Sequence, residues 1–249
     1  MNENPLISIA MTCYNQGHFI RDAIKSISNQ TYKKWELIII NDCSTDNSLE
    51  VIKKCCKEFK ILDKVTVVNH EQNKGYGYSL GESIKKSNGE LVAIIDSDDA
   101  LANENAFQIS VNTHIKNPNV SLTYSNYNEC NRNLGKIKTY KTRQLESDES
   151  FLEPKKKIRI SHLKVIKKKL YDMTEGINPR LKQTVDKDLI LKLEEVGSLL
   201  FINEVLFNYR KHNKNLSRTV KRKTREYQNF VTKMRNLIYD EARKRRQLK

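Results

Sequence analysis

Short apolar segments alternate with helical patterns over the first 105 residues, and this alternation constrains the fold more than any other feature. Four of the segments have the length and the bulky, often β-branched composition of buried strands. Between them, apolar residues recur at spacings of three and four, as on one face of an amphipathic helix. Strands that alternate with such helices predict a parallel sheet with helices on both faces. The predicted strands are residues 6–12, 35–42, 65–69 and 91–95.

The fourth strand runs directly into three carboxylates, in the sequence DSDD at residues 96–99. Carboxylates this close repel one another, and burying them is costly unless a cation lies among them. Mg²⁺ and Mn²⁺ prefer such oxygens and usually keep one or two of them beside phosphates and water. In an open α/β sheet, ligands bind at the carboxyl ends of the strands. The sequence therefore predicts a divalent cation held against a diphosphate at this edge.

Other chemistries also place an acid after an apolar strand. A P-loop NTPase needs a GxxxxGK[ST] loop and a Rossmann dinucleotide site needs GxGxxG after the first strand, and the sequence has neither there. A haloacid-dehalogenase-like phosphatase would use Asp96 as nucleophile and Asp98 as acid, in a DxDx[TV] motif. Ala100 stands in the last place of that motif. This phosphatase remains an alternative, as does a solvated acidic loop that caps the next helix.

The formal net charge of +15 is concentrated in two places, residues 155–169 and 220–249. It makes a nucleic-acid-binding protein a second hypothesis, but the acidic strand end would repel a polyanion, and we expect no nucleic-acid partner. No run approaches the roughly 20 apolar residues that cross a bilayer, and residues 1–5 show no signal peptide. The five cysteines match no zinc spacing and are typical of reduced thiols. We therefore expect a cytoplasmic protein.

The rhythm changes after about residue 105, where a polar, irregular segment is predicted to be a mobile loop. The chain divides into a catalytic domain at residues 1–219 and a helical tail at residues 220–249. The other predicted elements are a strand at 120–127, the loop at 128–154, a helix at 184–197, a strand at 198–202 and a loop at 206–218.

Together these motifs resemble the family 2 glycosyltransferases over residues 6–218. The resemblance implies an α/β GT-A fold, with a mostly parallel central sheet flanked by helices and a C-terminal helical tail. It also implies inverting transfer of a sugar from a nucleotide diphosphate sugar to a glycan, lipid-linked or protein acceptor, with Mn²⁺ or Mg²⁺ as cofactor. It rests on residues 8–48, on NKG at 73–75, on GELVAIIDSDD at 89–99, on VDKDLILKLEEVG at 185–197 and on YRKHNKNLS at 209–217.

Carried over by position, the resemblance implies that Asp42 bonds the nucleotide base. A carboxylate suits the imide N–H of uracil, so UDP is favoured over GDP; the alternative is that Asp42 only caps the next turn. Asp98 is expected to ligate the metal directly, with His212 beside the diphosphate or the metal, and Asp99 supporting either aspartate. The residues expected to bind the nucleotide sugar are Thr12, Tyr14, Asn15, Asp42, Lys74, Asp96 and Ser97.

The resemblance also implies the catalytic base, at the start of a helix near the acceptor. Family members usually have Glu-Asp there, followed two residues later by Asp-Leu, and Val185 replaces the Glu. Asp186 aligns with the base that takes the proton of the acceptor hydroxyl. Asp188 lies in the same helical turn and remains the alternative base.

One departure from the family is plain. The Arg-Asn pair that usually follows NKG is replaced by Leu80 and Gly81, so Lys74 or a basic loop residue is expected to substitute in binding the donor. The residues expected to neutralise the departing UDP are Arg210, Lys211 and Lys214.

The tail carries 11 basic and 3 acidic residues and predicts a basic amphipathic helix. We expect it to bind an anionic membrane on its inner face or a partner such as a second copy; packing on the catalytic domain is the alternative. Its apolar stripe is predicted to comprise Tyr227, Phe230, Val231, Met234, Leu237, Ile238 and Ala242. The basic residues mainly outside the stripe are Arg222, Lys233, Arg243 and Arg246.

Overall fold

The computed structural model describes residues 3–181, 183–213, 215 and 224–247. Its first four long strands pair in parallel in the order β3-β2-β1-β4. This confirms the predicted parallel arrangement, and each strand begins and ends within one residue of its predicted bounds. The strands are β1 (Ile7–Cys13), β2 (Trp35–Asn41), β3 (Val65–Asn69) and β4 (Leu91–Ile94).

The other strands extend the same sheet beyond β4 in the order β8-β6-β9-β5, with β7 paired to β6. β8 is antiparallel to β4 and β6, whereas β9 is parallel to β6, so this end of the sheet is mixed. These strands are β5 (Ala100–Leu101), β6 (Val120–Cys130), β7 (Lys136–Tyr140), β8 (His162–Lys167) and β9 (Ser198–Arg210).

Helices cover both faces of the sheet. Alternate residues of β1 enter two cores: Ile9 and Met11 pack against α1, α2 and α4, whereas Ala10 packs in the core formed by α3, α5, α6 and α7. Because side chains of a strand alternate between faces, a strand buried on both sides is mostly apolar, and β4 is apolar throughout. The helices are α1 (Ile20–Ser28), α2 (Ser48–Glu58), α3 (Tyr76–Lys85), α4 (Ala106–Lys116), α5 (Lys168–Tyr171), α6 (Val185–Glu194) and α7 (Arg225–Gln247).

The prediction of an irregular loop over residues 128–154 is wrong for the first part of that segment. β6 continues to Cys130 and turns back into β7. The turn is closed by Asn131, whose side-chain oxygen accepts hydrogen bonds from the backbone N–H groups of Asn133 and Gly135 at 2.9 Å each. The polar composition reflects the exposed position of β7 at the margin of the sheet.

The prediction of a loop over residues 206–218 is also wrong as far as residue 210, because β9 extends to Arg210. This continuation pairs with β6 on one side and with β5 on the other. The long basic run at 155–169, for which no element was predicted, contains β8. In both cases pairing with distant strands overrides a polar local sequence.

The tail forms α7, and part of its predicted stripe packs into the core that contains α6. Ile238 and Ala242 are buried in the core shared with α6, whereas Phe230 and Leu237 are about half exposed. The predicted boundary at residue 219, Arg222 and Lys214 lie outside the described residues. Among the residues that the structure describes, no helix is long and apolar enough to cross a bilayer.

Candidate active site

The loop after β1 is locked to the loop after β2 by Asn15. The side-chain oxygen of Asn15 accepts hydrogen bonds from the backbone N–H groups of residues 45–46 at 2.8 and 3.3 Å. Its own backbone N–H donates to Oγ of Ser44 at 3.0 Å, with φ in the left-handed region at 55°. Thr12 is half-buried at the end of β1, and Tyr14 is 49% exposed. Of these three predicted nucleotide contacts, Tyr14 presents the largest open surface.

Asp42 is buried at the end of β2 and holds the turn before α3. Its Oδ1 accepts a hydrogen bond from the backbone N–H of Lys74, and its Oδ2 accepts one from Gly75, both at 2.8 Å. Burial alone would raise the pKa of Asp42, but these bonds and His70 together lower it. Gly75 has a φ of 87°, a value that residues other than glycine rarely adopt. Asp42 therefore caps the NKG turn rather than the turn that follows β2.

His70 connects Asp42 to α3. Its Nδ1 lies 2.8 Å from Oδ1 of Asp42, and its Nε2 lies 2.8 Å from Oε2 of Glu82. The ring is buried and its edge meets the ring of Tyr78. Nζ of Lys74 lies 4.7 Å from the centre of the same Tyr78 ring. A buried imidazole between two carboxylates fixes the position of Asp42 beside the loop that carries Lys74.

The carboxylate of Asp96 lies at the end of β4, where several charged groups converge. Its Oδ1 accepts a hydrogen bond from the hydroxyl of Tyr76 at 3.1 Å. Burial, and after it the charge of Asp98, raise the pKa of Asp96 to about 7, while the charge of Lys164 opposes the rise and that of Asp186 adds to it. The site therefore has the excess of negative charge that favours binding of a cation.

Asp98 contacts residues that follow β9. Its Oδ2 lies 2.8 Å from Nε2 of His212, and the side-chain amide of Asn215 donates to the same oxygen at 3.3 Å. The His212 ring packs on Phe19 with 4.6 Å between ring centres. Ser97, next to Asp98, is buried. The structure thus brings together the two residues predicted to ligate the metal.

Asp99 is buried and supports Asp98 through Arg210. The backbone N–H of Arg210 donates to Oδ1 of Asp99 at 2.7 Å, and its Nε donates to the backbone oxygen of Asp98 at 2.6 Å. Its Nη2 pairs with Asp22 at 2.8 Å. Since the guanidinium is buried in these contacts, Arg210 organises the loop and the expectation that it neutralises UDP is wrong. Lys211 pairs with Glu129 at 2.8 Å.

The first turn of α6 separates the two candidate bases. The side chain of Asp186 is 50% exposed, and its Oδ1 lies 3.4 Å from Nζ of Lys164. The side chain of Asp188 is 2% exposed and pairs with Nζ of Lys192 at 3.0 Å. Asp188 also accepts a hydrogen bond from the backbone N–H of Asn178 at 3.4 Å. Of the two, Asp186 is exposed to solvent and its charge acts on Asp96, whereas Asp188 is buried in an ion pair.

The donor set fits a divalent cation that takes its remaining ligands from a diphosphate and water. Asp98 offers a carboxylate oxygen and His212 an imidazole nitrogen, and Mn²⁺ accepts both. Within the described ranges, no group of three or more His, Cys, Asp or Glu side chains could hold a metal ion. Such a cation would therefore depend on the bound nucleotide for much of its coordination.

Sequence reasoning missed His70, Tyr76 and Lys164. His70 and Tyr76 flank the NKG turn, and only the fold shows that they reach Asp42 and Asp96. Lys164 lies in the basic run at 155–169, where Leu163, Val165 and Ile166 gave a signal for a short buried strand. That signal was hidden by the surrounding lysines.

Comparison with known proteins decides the family. The model of the family "Glycosyl transferase family 2" matches residues 8–173, which is well over half of the chain. The chain belongs to glycosyltransferase family 2. The matched region includes Asp42, Asp96 and Asp98 but ends before Asp186 and His212, so the case for these two rests on geometry.

One relative of this family 2 chain is the hyaluronan synthase of Pasteurella multocida. The two are 28% identical over 218 residues, which cover 87% of this chain and 22% of the synthase. The chain therefore spans about a fifth of the length of this relative.

Solved structures share the fold at lower identity. TarS 1–349 of S. aureus in complex with UDP-GlcNAc is 19% identical, with a TM-score of 0.68, over 84% of this chain and 59% of TarS 1–349. The mannosyltransferase PcManGT of Pyrobaculum calidifontis, in complex with GDP-Man and Mn²⁺, is 14% identical with a TM-score of 0.64. It matches over 86% of this chain and 59% of the mannosyltransferase. These likenesses confirm the predicted GT-A fold for this family 2 chain.

Proposed function

We propose that this chain is a metal-dependent, inverting glycosyltransferase that moves a sugar from a UDP-sugar to an acceptor hydroxyl. The observation that carries the proposal is the position of Asp186, half exposed and beside Asp96 at the strand end, while Asp188 is buried in an ion pair. A general base must be accessible to the acceptor, and of the two candidates Asp186 is the one with an exposed carboxylate.

In the proposed reaction, the acceptor oxygen attacks the anomeric carbon of the donor sugar. Asp186 accepts the proton of that hydroxyl as the new bond forms. The bond from the anomeric carbon to the diphosphate oxygen breaks on the opposite face, so the configuration inverts and UDP leaves. Asp98 and His212 would hold the divalent cation, which when bound neutralises charge on the diphosphate.

UDP is the proposed nucleotide, and GDP is the alternative. The complexes of TarS with UDP and with UDP-GlcNAc support UDP, whereas the complex of PcManGT with GDP-Man supports GDP. The carboxylate of Asp42 already accepts bonds from His70, Lys74 and Gly75, so a uracil N–H would be a further donor to it. Tyr14 offers an exposed ring on which a base can stack.

We propose a glycan, lipid-linked or protein acceptor, and a cytoplasmic enzyme peripheral to the inner face of the membrane. Support comes from α7, where the exposed Phe230 and Leu237 lie among the exposed basic residues Lys233 and Arg235. Co-sedimentation with anionic vesicles at low salt, compared with neutral vesicles, tests this. Concentration-dependent dimers in light scattering, without vesicle binding, would instead indicate that α7 joins two copies.

The central experiment incubates the purified protein with a panel of UDP- and GDP-sugars and Mn²⁺, and scores donor hydrolysis and transfer to acceptors. Calorimetry with UDP and with GDP measures nucleotide binding separately. Turnover of a UDP-sugar with preferred binding of UDP supports the proposal, and turnover of GDP-sugars alone overturns the choice of nucleotide. Hydrolysis of p-nitrophenyl phosphate that is lost in Asp96→Asn would favour the phosphatase alternative.

A further inference from the structure

Lys164 is a buried cation at the centre of the site. β8 runs antiparallel to β4, and the register pairs Lys164 with Ile94, the last residue of β4. Lys164 therefore lies beside the end of β4, two residues before Asp96. The residue is only 4% exposed, and its Nζ donates to the backbone oxygen of Ser161 at 2.6 Å. Burial of a charged lysine has a large free-energy cost unless carboxylates lie close to it.

One carboxylate pairs with this lysine, and a second is close enough to be influenced by its charge. Nζ of Lys164 lies 3.4 Å from Oδ1 of Asp186 on α6. Its charge also attracts the carboxylate of Asp96 at the end of β4. Asp96 and Asp186 repel each other, so the lysine offsets the repulsion that would drive the half-exposed Asp186 away from the site.

The neighbouring helix α3 supplies no cation at this place. Leu80 stands where an arginine was expected from the family pattern, and it is buried in the apolar core. Lys74, which was expected to substitute for the missing Arg-Asn pair, lies over the ring of Tyr78. The positive charge next to Asp96 and Asp186 thus comes from β8, on the opposite side of β4 from β1.

We propose that Lys164 is a positioning residue that holds the carboxylate of Asp186 in the orientation from which it accepts the acceptor's proton. This inference rests on the proposed function of Asp186 as base. Lys164 acts through Asp186 and need not touch the donor or the acceptor. Its substitution should accordingly lower turnover and leave the affinity for nucleotide nearly unchanged.

The test compares Lys164→Met and Lys164→Arg with Lys167→Met as the matched control. Lys167 is a second buried lysine of β8, but it pairs with Leu91 at the far end of β4 and bonds the backbone oxygen of Pro118. For Lys164→Met we expect kcat to fall roughly 10- to 100-fold, with the Kd for UDP within about twofold of wild type. Lys164→Arg should recover most of kcat, and Lys167→Met should leave it unchanged.

A double variant separates a positioning role from a general loss of structure. If Lys164 acts through Asp186, Lys164→Met should lower kcat no further once Asp186→Asn is present. Additive losses, a wild-type kcat in Lys164→Met, or a loss confined to the Kd for UDP would each overturn the proposal.

Crystal structures of the wild type and Lys164→Met give a readout that needs no turnover. We expect the Asp186 carboxylate to turn toward solvent in the variant while α6 keeps its place, and an unmoved carboxylate overturns the inference. A wild-type protein that transfers no sugar from any donor would overturn the proposed function instead. The two failures are therefore distinguishable.

Discussion

Nε2 of His212 lies 2.8 Å from Oδ2 of Asp98, although 114 residues separate them in the chain. The contact depends on β9, which pairs along β6 up to Arg210 and so delivers the following loop to the end of β4. Arg210 fixes the same junction by bonding Asp98 and Asp99 through its side chain and backbone. A carboxylate and an imidazole are therefore held together beside the crowded acidic strand end.

The first prediction concerns the metal. Because Asp98 is a predicted ligand at an otherwise acidic site, transfer should vanish with excess chelator and return with Mn²⁺ or Mg²⁺. Asp98→Asn should abolish transfer and leave the circular dichroism spectrum unchanged. Asp63→Asn, an exposed acid distant in sequence from the site, serves as the control and should keep full activity. Full transfer in excess chelator would contradict the metal assignment.

The second prediction concerns the base. Asp186→Asn should cut kcat by roughly 10² to 10⁴, the usual worth of a general base, while the Kd for UDP stays nearly unchanged. The amide keeps the shape of the side chain but cannot accept the proton. Steady-state kinetics with calorimetry checks both quantities. If Asp188→Asn shows the larger loss of kcat in a protein that still binds UDP normally, the two aspartates must exchange roles.

The third prediction assigns Asp188 to stability. Its carboxylate pairs with Lys192, and both side chains are almost fully buried. Asp188→Asn leaves the buried ammonium with only the exposed Glu175, at 3.8 Å, as a neighbouring anion, so the free energy of unfolding should fall by about 3 kcal/mol. Urea denaturation measures the change. The double substitution of Asp188→Leu with Lys192→Met should restore most of the loss, and an unchanged midpoint in Asp188→Asn would refute the assignment.

The fourth prediction concerns pH. Burial lowers the pKa of His114 to about 4, from 6.5 for the unperturbed group, although the bond to the backbone oxygen of Val165 at 3.1 Å opposes the shift. Below pH 6.5 His114 becomes protonated in the unfolded chain, whereas in the folded chain it becomes protonated only near pH 4. The free energy of unfolding should therefore fall by roughly 3 kcal/mol as the pH drops between these values.

Denaturation at several pH values checks the role of His114. His114→Gln keeps an N–H donor for Val165 but takes up no proton, so it should flatten this part of the profile. His18→Gln, at an exposed histidine, is the matched control and should leave the slope as it is. An equal slope in wild type and His114→Gln would assign the acid sensitivity to other groups.

The parallel half of the fold was predictable from the sequence. β3 at Val65–Asn69 and β4 at Leu91–Ile94 are apolar runs bounded by turn residues, and local composition is enough to place them. The placement of Asp96 and Asp98 followed from the same reasoning, because the carboxyl ends of parallel strands share one edge. Neither inference needed a contact between distant residues.

The mixed half of the sheet, beyond β4, was not predictable in the same way. β8 lies inside a run rich in lysine, and β9 continues through polar residues to Arg210. Basic and polar neighbours obscure the apolar residues of these segments, whereas pairing with β4, β6 and β5 makes them strands. Strand pairing of this kind depends on neighbours that are remote in sequence.

By itself, the sequence determined the four parallel strands, where the acidic cluster lies and to which family the motifs belong. The tertiary structure alone decided which charges are paired: Lys164 with Asp186, Lys192 with Asp188, and Arg210 with Asp22. The physical reason is that burying a charged side chain is costly, and a nearby opposite charge offsets much of that cost. The partners of Lys164 and Arg210 lie on elements that are distant in sequence. The local sequence around either residue therefore cannot predict the pair.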